Sequence, residues 1–240
     1  QPTDPRLLAQ TQARLDRLTK PIGSLGRLEE LAARYVMITG EMKPMIPHGA
    51  VFTFAADHGV TVEGVSAYPS AVTPQMVLNF LRGGAGVNVL ARHVGIDVRV
   101  VDIGVAFDFE AVPGLIHKKI MLGTKNLMVE SAMSPAQAEQ ALTVGIELAT
   151  EAAQQGIGLV GTGEMGIGNT TASSAIAAVM TRRPVSEVTG RGTGIDDAGH
   201  AHKIDVIQRA LNTHRLDSTD ALEVLAKVGG LEIGGLAGLI

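Results

Sequence analysis

The sequence predicts an α/β fold in which a mostly parallel sheet carries helices on both faces. Short β-type segments alternate along the chain with helical patterns of ten or more residues, which is typical of doubly wound sheets. Residues 50–56 (AVFTFAA) are almost continuously apolar, as expected for a strand that is buried on both faces. Glycines lie at or shortly after the ends of the predicted strands, where turns into helices are expected.

The first part of the chain is predicted to be helical. Leucines between residues 4 and 35 recur at mostly helical spacing, and residues 20–24 (KPIGS) break the pattern. We expect two short helices joined by a turn. A linker with Pro44 and Pro47 follows.

The middle of the chain begins with the apolar strand at residues 50–56, which stops at Asp57-His58-Gly59. Helical patterns follow at about residues 73–81 and 85–94. Residues 97–104 (DVRVVDIG) are then predicted to form a second strand.

The second half of the chain has a strong helix start at Ser134-Pro135, because a serine N-cap, a proline at the first helical position and Gln137 form a capping box. This helix is expected to reach about residue 155. A third strand is predicted at residues 156–160, a glycine-rich loop at 161–171 and a helix at 172–180.

Composition excludes several classes of function. The chain has 240 residues, of which 45% are hydrophobic, and its formal charge of −4 provides no basic surface for nucleic acid. The absence of cysteine excludes disulfides, thiolate metal sites and a cysteine nucleophile, and it fits a cytoplasmic protein. No signal peptide or apolar run of about 20 residues is present, so we expect a soluble protein that does not enter membranes.

The last segment, residues 228–240 (VGGLEIGGLAGLI), is apolar and rich in glycine. Domains seldom end in such a run, because exposed ends without packing partners are usually polar. We therefore expect that the chain as given is truncated at its C-terminal end.

The glycine loop at residues 161–171 (GTGEMGIGNTT) is the most informative stretch. Glycines allow the backbone to approach a ligand closely, and the following helix N-terminus favours an anion such as phosphate. The spacing G-x-G-x-x-G also fits a dinucleotide site, but it lies late in the chain and no clear strand ends in an acidic residue at the expected distance. A Walker A motif is excluded because Asn169 stands where lysine is required. The alternative is a plain strand-to-helix turn.

Other candidate residues each have a structural alternative. Glu164 could contact ribose hydroxyls beside a phosphate, or it could be a solvated acid. Asp57 follows a strand where open α/β sheets bind ligands, or it caps the next turn. Lys203 could supply a cation to a phosphate, or it could be solvated. The pair His200 and His202 suggests a metal only if a third ligand exists, so a surface pair is favoured.

Four motifs in order along the chain carry a family resemblance. They are KPIGSLGRLE at 20–29, ADHGV at 56–60 with EGV at 63–65, GEMGIGNTT at 163–171 and KVGG at 227–230. Together they resemble nicotinate-nucleotide:dimethylbenzimidazole phosphoribosyltransferases, which make the lower-ligand nucleotide of cobalamin. The resemblance covers essentially the whole chain.

The resemblance implies a Rossmann-like large domain at residues 46–240 and a small helical domain to which residues 1–45 contribute, in a homodimer. The implied reaction transfers phosphoribose from nicotinate mononucleotide to a benzimidazole-type base and releases nicotinate, with no metal or cofactor. The absence of a metal requirement makes physical sense because the leaving pyridinium neutralises its own ring charge and the phosphate stays on the ribose.

The resemblance also implies site residues. Tyr68 and Met76 lie in the segment that lines the benzimidazole pocket, although some members carry serine and glutamine at these places, and Lys203 helps to bind the phosphate. The general base of the family is a glutamate beyond Ile240, so no catalytic residue is assigned. The nucleotide is expected to contact seven consecutive residues, Glu164, Met165, Gly166, Ile167, Gly168, Asn169 and Thr170.

Two alternatives to this function stay open. One is a truncated chain that binds a nucleotide without turnover. The other is a Rossmann-type oxidoreductase that binds NAD(P), which lacks support from an early fingerprint or an acidic ribose partner.

Overall fold

The computed structural model describes residues 4–45 and 48–240. Contacts divide the chain into two compact units, residues 1–47 and 48–240. The first unit contains helices α1 (Pro5–Asp16) and α2 (Arg27–Thr39), as the leucine spacing predicts. Asp4 caps α1 by accepting a hydrogen bond from the Arg6 backbone N–H at 2.8 Å. The assignment of this unit to a small domain stays a prediction.

The second unit is built on a four-stranded sheet with strand order β3-β2-β1-β4. All three strand pairs are parallel, which confirms the predicted sheet. The strands are β1 (His48–Ala56), β2 (Asp97–Gly104), β3 (Leu115–His117) and β4 (Ile157–Met165). The three-residue strand β3 was not predicted, because its sequence is too short to show a pattern.

Helices cover both faces of the sheet. The helices packed on the strands are α3 (Val72–Leu81), α4 (Gly86–His93), α5 (Pro135–Gln154) and α10 (Leu231–Leu239). The helices α6 (Asn169–Thr181), α7 (Val185–Val188), α8 (Asp197–Thr213) and α9 (Ala221–Val228) share an apolar cluster, and a short 3₁₀ helix lies at Gly59–Glu63. The predicted capping box starts α5: the Ser134 hydroxyl accepts from the Gln137 N–H at 3.2 Å, and the Gln137 side chain accepts from the Ser134 N–H at 2.8 Å.

Neighbouring residues of β1 face opposite layers. Phe54 packs into a core with α5 and α10, and Ala55 packs into a second core with Val77 and Phe80 of α3. Both faces of this strand are therefore buried, which explains its continuous apolar sequence.

The structure corrects the predicted limits of the glycine loop. Residues 161–165 extend β4, so the turn contains only Gly166, Ile167 and Gly168, and α6 begins at Asn169 rather than at residue 172. The strand extends because residues 161–165 pair in parallel register with β1, for example Phe54 with Glu164.

The apolar segment near residue 240 forms helix α10, which packs closely on α5. A Cβ on Gly145 of α5 would lie 2.1 Å from the carbonyl oxygen of Gly235, and one on Gly238 would lie 2.0 Å from that of Leu142. The glycines of this segment therefore allow two helices to approach backbone to backbone. In the described residues, no helix is both long enough and apolar enough to cross a membrane.

Candidate nucleotide-binding site

The candidate site lies at the carboxyl ends of the adjacent strands β1 and β4. There the turn at residues 166–168 joins β4 to the N-terminus of α6. This is the place where open parallel sheets bind ligands. In the first turn of α6, the Asn169 and Thr171 N–H groups donate to the carbonyls of Gly166 and Gly168 at 3.1 and 2.9 Å, and the Thr170 N–H has no acceptor in the described residues.

The turn glycines are required by the protein's own packing. A Cβ on Gly166 would lie 2.1 Å from the carbonyl oxygen of Ala56, and Gly168 has φ of 91° with Thr61 close behind it. The backbone N–H of Ile167 donates to the Thr73 hydroxyl at 3.1 Å. The glycines thus allow the turn to pack tightly against the end of β1, as expected for the alternative of a strand-to-helix turn.

Lys203 is a buried cation without an acidic partner in the described part of the chain. It lies on α8 with 1% of its surface exposed, and its Nζ donates to the hydroxyl of Thr170 at 2.6 Å. Burial lowers the pKa of the Lys203 ammonium, because the charged form loses hydration. The solvated alternative for this lysine is therefore wrong.

Lys203 shares one small pocket with most of the predicted nucleotide residues. The pocket is lined by Gly166, Ile167, Gly168, Asn169 and Thr170, by residues 65–66 and 191–193, and by Lys203. Arg191 adds a second cation at its rim, where it pairs with the exposed carboxylate of Asp197. The pocket thus combines positive charge with a helix N-terminus.

Glu164 lies beside this pocket near the end of β4. Its side chain is exposed, and one carboxylate oxygen accepts a hydrogen bond from the side-chain amide of Asn169. Partial removal from water and then the charge of Glu232 raise the pKa of Glu164, and the Asn169 amide and His58 oppose this shift. The site therefore carries a negative charge next to its positive pocket.

The remaining predicted residues lie outside the pocket lining. Asp57 is buried and accepts from the Ala106 N–H at 2.8 Å, which ties the ends of β1 and β2 together. Met76 and Met165 pack against one apolar cluster on the α3 side of the sheet. Tyr68 is 51% exposed.

The histidine pair of α8 is not a metal site. The Nε2–H of His200 donates to the Thr189 carbonyl at 2.8 Å, and that of His202 donates to the Glu63 carbonyl at 2.6 Å. No group of three possible metal-ligating side chains occurs in the described ranges.

The dinucleotide spacing is not a dinucleotide turn. Gly161 and Gly163 lie inside β4, and only Gly166 of the G-x-G-x-x-G pattern lies in the turn. The first two glycines of the fingerprint therefore cannot form the tight turn that it requires.

Sequence reasoning missed a buried pair beneath the turn. His58 Nε2 lies 2.9 Å from Glu232 Oε1, and neither side chain is exposed. The sequence does contain a feature that points to this pair, because Glu232 is the sole charged residue in the apolar segment at 228–240.

Comparison with known proteins agrees with this fold. A family model described as phosphoribosyltransferase matches residues 1–240. The crystal structure of CobT from Thermus thermophilus has a TM-score of 0.89 and 46% sequence identity, over 98% of this chain and 70% of that one. The chain is thus a phosphoribosyltransferase, which is a transferase enzyme.

Two curated relatives define the family more narrowly. The nicotinate-nucleotide–dimethylbenzimidazole phosphoribosyltransferase of Geotalea uraniireducens is 60% identical over 240 residues, which are 100% of this chain and 68% of the relative. The like-named protein of Geobacter sulfurreducens is 62% identical over 239 residues, with 100% and 68% coverage. The chain belongs to this family, and the resemblance of its four motifs is confirmed.

Proposed function

We propose that the chain transfers phosphoribose from nicotinate mononucleotide to 5,6-dimethylbenzimidazole or a related azole base. The observation that carries this proposal is the buried ammonium of Lys203 beside the N-terminus of α6. A buried cation without a carboxylate partner is costly, and a bound phosphate would compensate it. The names of the relatives supply the two substrates.

The proposed chemistry breaks the bond between the ribose C1 and the pyridinium nitrogen. The bonding electron pair goes to that nitrogen and neutralises the ring, so nicotinate leaves without a metal. One nitrogen of the azole base forms the new bond to C1, and the other ring nitrogen of the base loses its proton. No residue of the ranges 4–45 and 48–240 is assigned as the acceptor of this proton.

The residues of the pocket hold the substrate through this change. Lys203 and the Thr170 N–H at the start of α6 bind the phosphate, which stays on the ribose throughout. Glu164 contacts the ribose or the cationic ring, where its negative charge favours the oxocarbenium-like transition state. Fixing the phosphate orients C1 toward the incoming base.

The acceptor base is proposed to lie against residues 68–76. Tyr68 presents an exposed aromatic ring, and Met76 adds a polarisable side chain next to the α3 core. We further propose that the protein is a cytoplasmic homodimer, as the family resemblance implies. Sedimentation equilibrium of the purified protein tests the dimer.

The alternatives are less well supported. An NAD(P)-binding oxidoreductase is disfavoured by the family membership and by the strand conformation of Gly161 and Gly163. A non-catalytic nucleotide-binding chain is not favoured by the relatives, which are named as enzymes.

Calorimetric titration tests the proposed function. The chain should bind nicotinate mononucleotide more tightly than nicotinate or NAD, because only the mononucleotide offers a terminal phosphate together with the cationic ring. Tighter binding of NAD, or no binding of the mononucleotide, would refute the proposal. Formation of the base ribonucleotide from the two substrates, followed by chromatography, tests the transfer itself.

A further inference from the structure

The pair formed by His58 and Glu232 has no role in the function proposed above. The two residues are 174 positions apart, on the segment after β1 and on the first turn of α10, and both side chains are fully buried. Nδ1 of His58 and Oε2 of Glu232 have no hydrogen-bond partner in the described part of the chain. Burying two ionisable groups in this way is costly, so a structural role alone is a poor explanation.

His58 lies directly beneath the glycine turn. Its Cδ2 is 3.3 Å from the place where a Cβ of Gly166 would lie, and its Cβ is 3.4 Å from the corresponding place at Gly168. The imidazole therefore lies next to Gly166, and the Cβ of the same residue lies next to Gly168. A shift of this ring would move the turn and, with it, the N-terminus of α6.

The backbone before α10 is also shaped around the pair. A Cβ on Gly230 would lie 2.5 Å and 2.6 Å from the two carboxylate oxygens of Glu232 and 2.6 Å from Cε1 of His58. Any other residue at position 230 would displace the pair. Gly166 and Gly168 on one side of the pair and Gly230 on the other therefore all pack closely around it.

We propose that His58 and Glu232 act as a positioning pair for nucleotide binding, in which a protonated imidazole, oriented by Glu232, supports the turn and offsets the negative charge of Glu164. This inference rests on the proposed function. Neither residue touches the reacting atoms. Their effect is transmitted through the backbone of residues 166–168 and through the electric field at the site.

The charges around His58 agree with a protonated ring. Burial alone would lower the pKa of His58, but the negative charges of Glu232 on α10, Asp57 on its own segment and Glu164 on β4 together outweigh burial and raise it. These three carboxylates are the charged groups that act on the imidazole. A neutral ring would leave the fully buried carboxylate of Glu232 without the cation beside it.

Paired variants test the proposal through affinity. Glu232→Gln and His58→Gln should each lower the affinity for nicotinate mononucleotide about tenfold or more. The double variant should bind at least as tightly as the single variant with the lower affinity, since each residue acts through the other. Leu148→Ala, in the apolar core that α10 also joins, is the control. It should lower the melting temperature and leave the affinity at 15 °C within about twofold of the parent.

A measurement on the unaltered chain keeps the proposal testable if a variant does not fold. The His58 imidazole is followed by NMR across pH, with its resonance assigned by His58→Gln. Bound nicotinate mononucleotide should raise the pKa of His58, because protonation that favours an anionic ligand is in turn favoured by it. Glu232→Gln should lower the pKa.

Several results would overturn the proposal. A pKa of His58 that does not change on nucleotide binding would do so, as would wild-type affinity in both single variants. If the unaltered chain does not bind the mononucleotide at all, the proposed function fails. The pair is then judged with inorganic phosphate as the probe, and equal phosphate affinity of the parent and Glu232→Gln refutes it.

Discussion

The Nζ of Lys203 lies 2.6 Å from the hydroxyl of Thr170, so a buried cation on α8 is joined to the first turn of α6. The hydroxyl is a neutral partner and does not compensate the positive charge. The free protein therefore holds a charge that an anion would stabilise. This arrangement leads to the first two predictions.

Lys203→Met should weaken nicotinate mononucleotide by about 10- to 150-fold, since a charge-assisted hydrogen bond contributes about 1.5–3 kcal/mol. The affinity for nicotinate riboside, which lacks the phosphate, should be unchanged. Calorimetry with both ligands measures the difference. Lys118→Met, which removes a lysine paired with Glu147 away from the pocket, is the control. Equal losses for both ligands would show that Lys203 does not bind the phosphate.

Lys203 should also give stability and affinity opposite responses to pH. Burial lowers the pKa of Lys203 from the ordinary 10.5. Between the lowered value and 10.5, the unfolded chain therefore keeps a proton on this lysine that the folded chain has lost. The stability of the free chain should therefore rise in that window, while affinity for the mononucleotide falls. Denaturant melts and titrations at several pH values measure both. Lys203→Met should show neither trend.

Glu164→Gln should weaken nicotinate mononucleotide about tenfold but leave inorganic phosphate binding unchanged or stronger, because a negative charge near the anion is removed. The pKa of Glu164 is raised above the ordinary 4.5, so its charge destabilises the fold as pH rises through and above that range. The variant should melt at a higher temperature than the parent at pH 7 and at the same temperature at pH 4. Glu139 is an exposed acid on α5, and Glu139→Gln should change neither the ligand affinities nor the melting temperature.

Tyr68→Ala should reduce the affinity for 5,6-dimethylbenzimidazole by about two- to twelvefold, as expected for the loss of one aromatic contact of about 0.5–1.5 kcal/mol. Its melting temperature should change little, because the side chain is 51% exposed. Tyr68→Phe keeps the ring and should bind the base normally. Fluorescence titration of the base into the nucleotide complex measures these affinities. Full affinity in Tyr68→Ala would exclude this residue from the acceptor site.

Gly145→Ala should destabilise the protein by about 1–3 kcal/mol, because its Cβ would lie 2.1 Å from the Gly235 carbonyl and would force α5 and α10 apart. Gly86→Ala near the start of α4 meets no atom within 4 Å and serves as the control. Urea denaturation of both variants measures the difference. Similar stabilities would mean that the two helices separate at little cost.

The sequence was sufficient for the features that depend on local pattern. The apolar run of β1 and the capping box of α5 were both predicted and are confirmed. The end of β4 was not, because Gly161, Gly163 and Glu164 are poor strand formers in isolation. Pairing with β1 determines their conformation, and strand propensity is known to depend on such context.

The candidate site was predictable in part. Residues 166–168 of the turn are consecutive, so the sequence alone predicts that they lie together in the site. The contacts of Lys203 with Thr170 and of His58 with Glu232 join residues 33 and 174 positions apart. No local pattern encodes such distances, and the charge states of Lys203 and His58 depend on burial that only the packed fold creates.

The close packing of α10 has a consequence for the order in which the protein folds during synthesis. Phe54 and Ile103 of the first two strands meet the backbone of Gly235, so their side of the sheet, on which α5 also packs, is fully covered only after α10 has left the ribosome. Until then the nascent chain exposes an apolar sheet face, which is a surface that chaperones bind. Glu232 arrives with the same helix, so the imidazole beneath the turn gains its partner only after α10 has been synthesised.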